Sequence, residues 1–264
     1  MKPVVKWNLW QRRVSTIWWG VGIAFFMFIN MIFYPSFKDQ AAELQKSFES
    51  IPDTAVQFLG GSTDFFSPVG YVNSQIFFLT LPLVLAILAI SLGSRLLASE
   101  ETDKTIENII SRPISRSKFL LSKAIVGEII LMFVTFIAWL TVVVLAELVD
   151  LDVSILNLTL ATFVCFLFVY TCGAVAFAVT SIGKAKGASI AIATFVAFGG
   201  YILSSLSGTV EWLKWPAKAL PFHYYQSEAI LRGNYNWNNL WYFLIAISAC
   251  VIISWFSFRK RDLE

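Results

Sequence analysis

The sequence predicts an all-α, polytopic membrane protein. It has six transmembrane helices, both termini cytoplasmic, an amphipathic N-terminal interfacial helix and a short cytoplasmic helix between spans two and three. Three observations carry that prediction. Of the 264 residues, 57% are hydrophobic and 14% charged, against roughly 25% charged in soluble domains. Apolar runs near the ~20 residues needed to cross a bilayer recur along the chain. Lysine and arginine gather on one set of flanks. The net charge of +3 is small and forms no basic patch of the kind that binds nucleic acid.

The N-terminal residues come first. Wound as a helix, they place Val4, Trp7, Trp10 and Val14 on one side and Lys6, Arg12 and Arg13 on another. This suits a helix lying in the membrane interface, with tryptophans at headgroup depth; a plain positive-inside anchor suits it equally. The first span, Val14–Tyr34, is too long for a secretory h-region and has no small-x-small site after it, so it is expected to persist as a membrane helix. In the following loop Phe37, Ala41, Leu44, Phe48 and Ile51 form one apolar stripe between Pro35 and Pro52. That pattern predicts an outer helix over 36–51 with a packing role.

Five more spans follow at Tyr71–Ala98, Ala124–Leu148, Ile155–Ser181, Ala188–Leu206 and Leu240–Phe258. The second and fourth are longer than a crossing requires and can tilt; Pro82, with Gly93 further along, marks a bend in the second. Ser207–Asn239 is dense in aromatic residues and divided by Pro216 and Pro221, as expected of short pieces dipping into the outer interface. Its His223, the chain's one histidine, reads as a polar interface residue. Basic residues at 2–13, 95–123, 184–186 and 259–261 oppose only Lys38, Lys46, Lys214, Lys218 and Arg232 on the other flanks. Both termini are therefore expected in the cytoplasm. No linker marks a second domain, so residues 1–264 read as one transmembrane domain. Cys165, Cys172 and Cys250 lack metal-ligand spacing and read as core thiols.

Catalytic motifs are missing. No G-x-x-x-x-G-K-[ST] occurs, so the chain lacks the backbone cradle for nucleotide phosphates. One histidine excludes an H-E-x-x-H zinc site. The Glu100-Glu101 pair resembles that of glutamate intramembrane proteases of the CAAX-processing kind, but the histidines they need on neighbouring spans are not there. The chain is expected not to be an enzyme by itself. Two residues form a candidate intramembrane polar site, Glu128 just inside the third span and Asn30 near the outer end of the first. A mid-membrane charge costs about 2.5–3.5 kcal/mol and points to function by default, although Glu128 is also placed to pair with Arg95 or Lys123. Asn30 and the Asn73-Ser74-Gln75 group either line a lateral exit or bond headgroups.

The longest stretch that cannot sit in a bilayer is Ser99–Lys123. Asp103 can cap a short helix whose apolar edge is Ile106, Ile109 and Ile110. Arg112-Pro113 ends it, and Ser115 can cap the next helix, with Ile114 and Phe119 as a hydrophobic staple. A charged surface helix with one apolar edge is either a docking element or a solvated connector.

The run E-E-T-D-K-T-I-E-N-I-I-S-R-P-I-S-R-S-K resembles the first cytoplasmic loop of the permease subunits of type-2 ABC exporters. The tail F-R-K-R-D-L and the segment A-L-P-F-H-Y-Y are similar to two further parts of that family. The resemblance implies that this loop holds a coupling helix seated in a cleft of a separate ATPase subunit. Glu100, Glu101, Thr105, Glu107, Arg112, Pro113, Ser115 and Arg116 inherit that role, with Ile106, Ile109 and Ile110 as the apolar edge. Lys104 stands where the family commonly has glycine, and Asn108 where an apolar residue is usual. The resemblance further implies two ATPase copies carrying ATP and Mg, a second permease forming a homodimer or heterodimer, a lipid bilayer around both and no cofactor on this chain. The expected function is ATP-driven export of a hydrophobic or amphipathic substrate such as a peptide, drug or lipid. The alternative is a membrane scaffold or regulator that docks a soluble partner through residues 99–123.

Overall fold

The computed structural model describes residues 2–38, 66–102, 115–183, 185–208 and 210–260, with the side chains of 98–102 left aside. The expected outer helix over 36–51 and most of the expected coupling element, residues 103–114, lie outside the described residues. Among the described residues every regular element is helical, and six helices are long and apolar enough to cross a membrane.

Helix α1 spans Lys2–Ile32. At 1.5 Å per residue it is roughly 46 Å long, well beyond a hydrocarbon core of about 30 Å. The expected interfacial helix is therefore not a separate element: its residues are the first turns of α1, which continues into the first span without a break. The cause is a stripe at helical spacing (half-buried Val5, buried Asn8, then Gly20, Ile23, Met27 and Met31) that packs along the third span. Trp7 and Trp10 stack on the exposed side, ring centres 5.8 Å apart, and the Arg13 guanidinium lies 4.2 Å over Trp10.

A short helix α2, Pro68–Val72, opens the second span. The Ser67 hydroxyl accepts from the Gly70 N–H at 3.0 Å and proline occupies the first turn, where its missing donor costs nothing. A π-helical turn, Asn73–Phe77, follows, in which the Phe78 N–H donates to the Asn73 carbonyl at 2.6 Å. Helix α3 then runs from Thr80 to Thr102. Pro82 accounts for the disturbance, because its ring lacks an N–H and crowds the carbonyl four residues back. The bend expected at Pro82 takes the form of that widened turn.

Helices α4 (Arg116–Leu148) and α5 (Ile155–Ser181) form the third and fourth spans, the fourth at its expected boundaries. The fifth is α6 (Lys186–Thr194), a second π turn (Phe195–Gly199) and α7 (Gly200–Leu206). Between it and the sixth lie three short helices, α8 (Lys214–Lys218), α9 (Phe222–Tyr225) and α10 (Ser227–Leu231). Helix α11, Leu240–Lys260, closes the chain's described part.

Helix α5 is the centre of the bundle and touches α3, α4, α6, α10 and α11. Its closest neighbour is α3, and small residues make that approach possible. A Cβ on Gly93 would collide with the Gly173 carbonyl, and one on Gly173 would come within 3.1 Å of Ala89. In lipid no hydrophobic force drives helices together, so such close backbone packing carries much of the association. Six crossings put the start of α1, the end of α3, the start of α4 and the end of α11 at one end of the bundle, its terminal face. Helices α8–α10 lie at the opposite face.

Candidate functional site

At the terminal face α3 ends at Thr102 and α4 begins at Arg116, so the two helices flank the 103–114 stretch. Ser115 holds the cap position in an extended conformation, φ −64° and ψ 144°, but its hydroxyl makes no capping bond. Helix α4 thus starts where expected without the expected side-chain cap. Next to this start, Leu97, Phe119, Leu120 and Phe258 form a separate buried cluster against Phe177. The Phe119 and Phe258 rings lie 6.2 Å apart and nearly parallel. The end of α3, the start of α4 and the end of α11 are thereby tied together. One turn on, Lys123 is only 1% exposed and its ammonium donates to Asn8 Oδ1 at 2.7 Å, binding α4 to the first turns of α1. Asn8 is oriented for this by donating its own amide to the Val4 carbonyl at 2.9 Å.

Above the cluster an apolar crevice of about 110 Å³ opens between α3, α4, α5 and α11. Gly93, Leu96, Gly127, Leu131, Phe177 and Trp255 line it, with Tyr170 and Ser254, and one carboxylate, Glu128, stands in it. Gly93, Gly127 and Gly173 are all among its lining residues.

A second, larger pocket of about 420 Å³ lies at the opposite face. It is bounded by the Asn73 turn, the end of α7, α9 and α10, and its lining mixes aromatic surface with polar residues, among them Ser204, Ser205, Ser207, His223, Gln226 and Glu228. Buried hydrogen bonds hold its frame. The Tyr225 hydroxyl donates to the Phe77 carbonyl at 2.7 Å, and the Ser227 hydroxyl to Asn73 Oδ1 at 2.6 Å. Tyr225 also stacks on Phe168 of α5 at 5.6 Å, and Asn157 Nδ2 donates to the Leu231 carbonyl at 2.9 Å. The Tyr225 bond gives the Phe77 carbonyl, in the π turn, a partner that a displaced backbone carbonyl would otherwise lack. Burial, then the nearby Lys218 ammonium, holds the His223 imidazole below the usual histidine range.

The family model for ABC-2 family transporter proteins matches residues 3–263, nearly the whole chain. The chain belongs to that family. Members are transmembrane subunits of ABC transporters, generally not catalytic themselves, that typically work with an ABC ATPase partner. No curated protein and no solved structure matches the chain.

In this ABC-2 permease the expected coupling residues divide. Ser115 and Arg116 are exposed at the start of α4. The backbones of Glu100 and Glu101 lie in the last turn of α3. Thr105, Ile106, Glu107, Ile109, Ile110, Arg112 and Pro113 fall outside the described residues. The candidate polar pair is not brought together: Glu128 stands in the crevice near the terminal face, while Asn30 lies toward the other end of α1. There Asn30 Nδ2 donates to the Phe26 carbonyl at 2.9 Å, and its own carbonyl accepts from the Tyr71 hydroxyl at 2.6 Å. Nor does Glu128 pair with Arg95 or Lys123. Lys123 is turned toward α1, Arg95 is exposed, and no ion pair among the described residues includes Glu128. The expected core cysteines are where packing puts them, with Cys165 and Cys172 buried, Cys250 half-buried and all three unbridged.

Sequence reasoning missed Lys123 and Asn8 as partners, the Phe119–Phe258 contact and the polar pocket. A signal for the first existed: lysine at the start of an apolar span and asparagine amid tryptophans are each costly without a partner.

Proposed function

We propose that this protein is the permease half of an ATP-driven exporter. Both termini and the 99–123 stretch face the cytoplasm, and that stretch carries a coupling helix that seats in each of two separate ATPase subunits as two permeases pair. The observation that carries the reading is the family match over residues 3–263, joined to a polar, charge-rich stretch that leads directly into α3 and α4. Closure of the ATPases on ATP would push the 103–114 stretch. The Leu97, Phe119, Leu120 and Phe258 cluster would pass that displacement to α3, α4 and α11 together, because packed apolar contacts shift as a unit rather than yielding one by one. The Gly93–Gly173 crossing would then carry it to the central α5.

The cargo is hydrophobic or amphipathic: a peptide, drug or lipid. The apolar crevice, with Glu128 as its carboxylate, supports a ligand with a large apolar surface over a small hydrated ion. The test is substrate stimulation of ATP hydrolysis by the reconstituted complex bearing Glu107→Ala or Arg112→Ala in this chain. Stimulation should fall by roughly fivefold or more, the scale of an inter-site coupling free energy, while the complex stays assembled. Unchanged stimulation and transport in both variants would remove these residues from the coupling element.

A further inference from the structure

We propose that the crevice between α3, α4, α5 and α11 is a binding site for a lipophilic cation, an ammonium group carried on an apolar body and reached from the membrane. As a binding site it stands by itself; as the place where cargo is recognised it rests on the exporter reading above.

Glu128 is the one charged residue between Lys123 and Glu147, in a helix that otherwise offers the membrane apolar side chains. A carboxylate within a span is costly unless something offsets its charge. Among the described residues no ion pair includes it, and the neighbouring Lys123 is engaged by Asn8. The residue is exposed, so its charge is open to a ligand. Glu128 and Tyr170 both line the crevice, and the carboxylate acts electrostatically on the Tyr170 hydroxyl of α5.

The lining selects among ligands. No lysine, arginine or histidine is in it, so an anion finds no countercharge. A small metal ion needs several oxygen ligands, which one carboxylate among alkyl groups and glycines does not supply. The Ser254 hydroxyl is already donated to the Cys250 carbonyl at 2.7 Å. An organic cation needs neither a ligand cage nor a hydrogen-bond network. Its charge is drawn to Glu128, and three rings, Tyr170, Phe177 and Trp255, line the same crevice. Aromatic faces attract ammonium groups, quaternary ones included.

Size and access fit the same class. At about 110 Å³ the crevice is a little smaller than the roughly 150 Å³ apolar cavity that takes up benzene. One ring or a short alkyl segment therefore enters while the rest of the molecule stays in lipid. Leu121, Glu128, Val251 and Trp255 line the crevice and are also exposed on the surface of the bundle, so the way in is from the side. Glu128 follows the start of the apolar run at Ala124 by one turn, a depth of roughly 6 Å. An amphiphile with its ammonium just below the headgroups and its apolar body in hydrocarbon meets the carboxylate at that level.

The test uses the full chain in phosphatidylcholine nanodiscs, with empty nanodiscs as the blank for partition into lipid. Equilibrium dialysis measures the affinity of benzyldimethyldodecylammonium and of benzyl dodecyl ether, which has the same ring and chain without the charge. The ammonium should bind about tenfold more tightly than the ether or better. Glu128→Gln should cost the ammonium about tenfold, the scale of a partly buried charge pair, and leave the ether within about twofold, which also shows that the variant is folded. Trp255→Leu keeps apolar bulk but removes the ring face, and should cost the ammonium about threefold. Retained ammonium affinity in Glu128→Gln overturns the proposal, and so does retained affinity in Trp255→Leu, which would put the cation outside the crevice. Equal binding of ammonium and ether overturns it too, while leaving a hydrophobic cargo in place. Glu128-dependent binding without stimulation of ATP hydrolysis in the complex with the ATPase supports the site and counts against the cargo reading instead.

Discussion

Gly93 sits where a side chain has no room. Its Cβ would strike the Gly173 carbonyl, a backbone atom that cannot rotate away, and come within 3.0 Å of Ala176. Gly93→Ala should therefore force α3 from α5 and cost about 1–3 kcal/mol, the range of overpacked cores. Gly22→Ala, at a position with nothing within 4 Å, should be close to neutral; thermal unfolding of the two proteins in the same detergent measures the difference. The sequence reading assigned Gly93 to a bend, because a lone glycine in an apolar span signals flexibility and close packing alike. Only its partner Gly173, 80 positions away, distinguishes them. Lys123 gives a second residue-level prediction. Asn8→Leu deprives a buried ammonium of an acceptor and should cost about 1–3 kcal/mol. Adding Lys123→Met removes the charge and should restore most of that loss, again as an unfolding midpoint.

At the scale of elements, the spans were legible and their interruptions were not. A run of 20 apolar residues announces a crossing whatever its internal register, which is why Ile155–Ser181 agrees to the residue. A π turn inserts one residue without altering composition, so Phe195–Gly199 left no mark in the sequence; Asn73–Phe77 left one, in Pro82. The first turns of α1 were misread for a related reason. Amphipathicity identified the helix and its exposed tryptophan side but did not show that the other side, through Asn8, packs against α4. The Phe119–Phe258 contact joins the start of α4 to the end of α11, and it predicts that Phe258→Ala uncouples. ATP-driven transport should fall by roughly fivefold or more while the permease still binds its ATPase, measured by transport and pull-down on the same preparation. Equal loss of binding and transport would place Phe258 in assembly instead.

For the molecule as a whole, the proposed function makes the chain a converter driven by a separate subunit. The sequence shows no nucleotide-binding motif, the chain's small-residue crossings bind the spans closely, and its most polar stretch lies in sequence between α3 and α4. Of the candidate site, the charged 99–123 stretch was visible in sequence because charge cannot hide in a bilayer; its docking role is a proposal. The crevice and the polar pocket were not, since each is assembled from residues of at least three elements. The dependence of this chain on a separate ATPase is the claim on which the rest hangs. Affinity purification of the full-length tagged protein from its native membrane tests it most directly. The account predicts that a stand-alone P-loop ATPase is retained with it, together with nucleotide hydrolysis. A stable complex with a different soluble partner and no ATPase would contradict the account and make the 99–123 stretch a scaffold's dock.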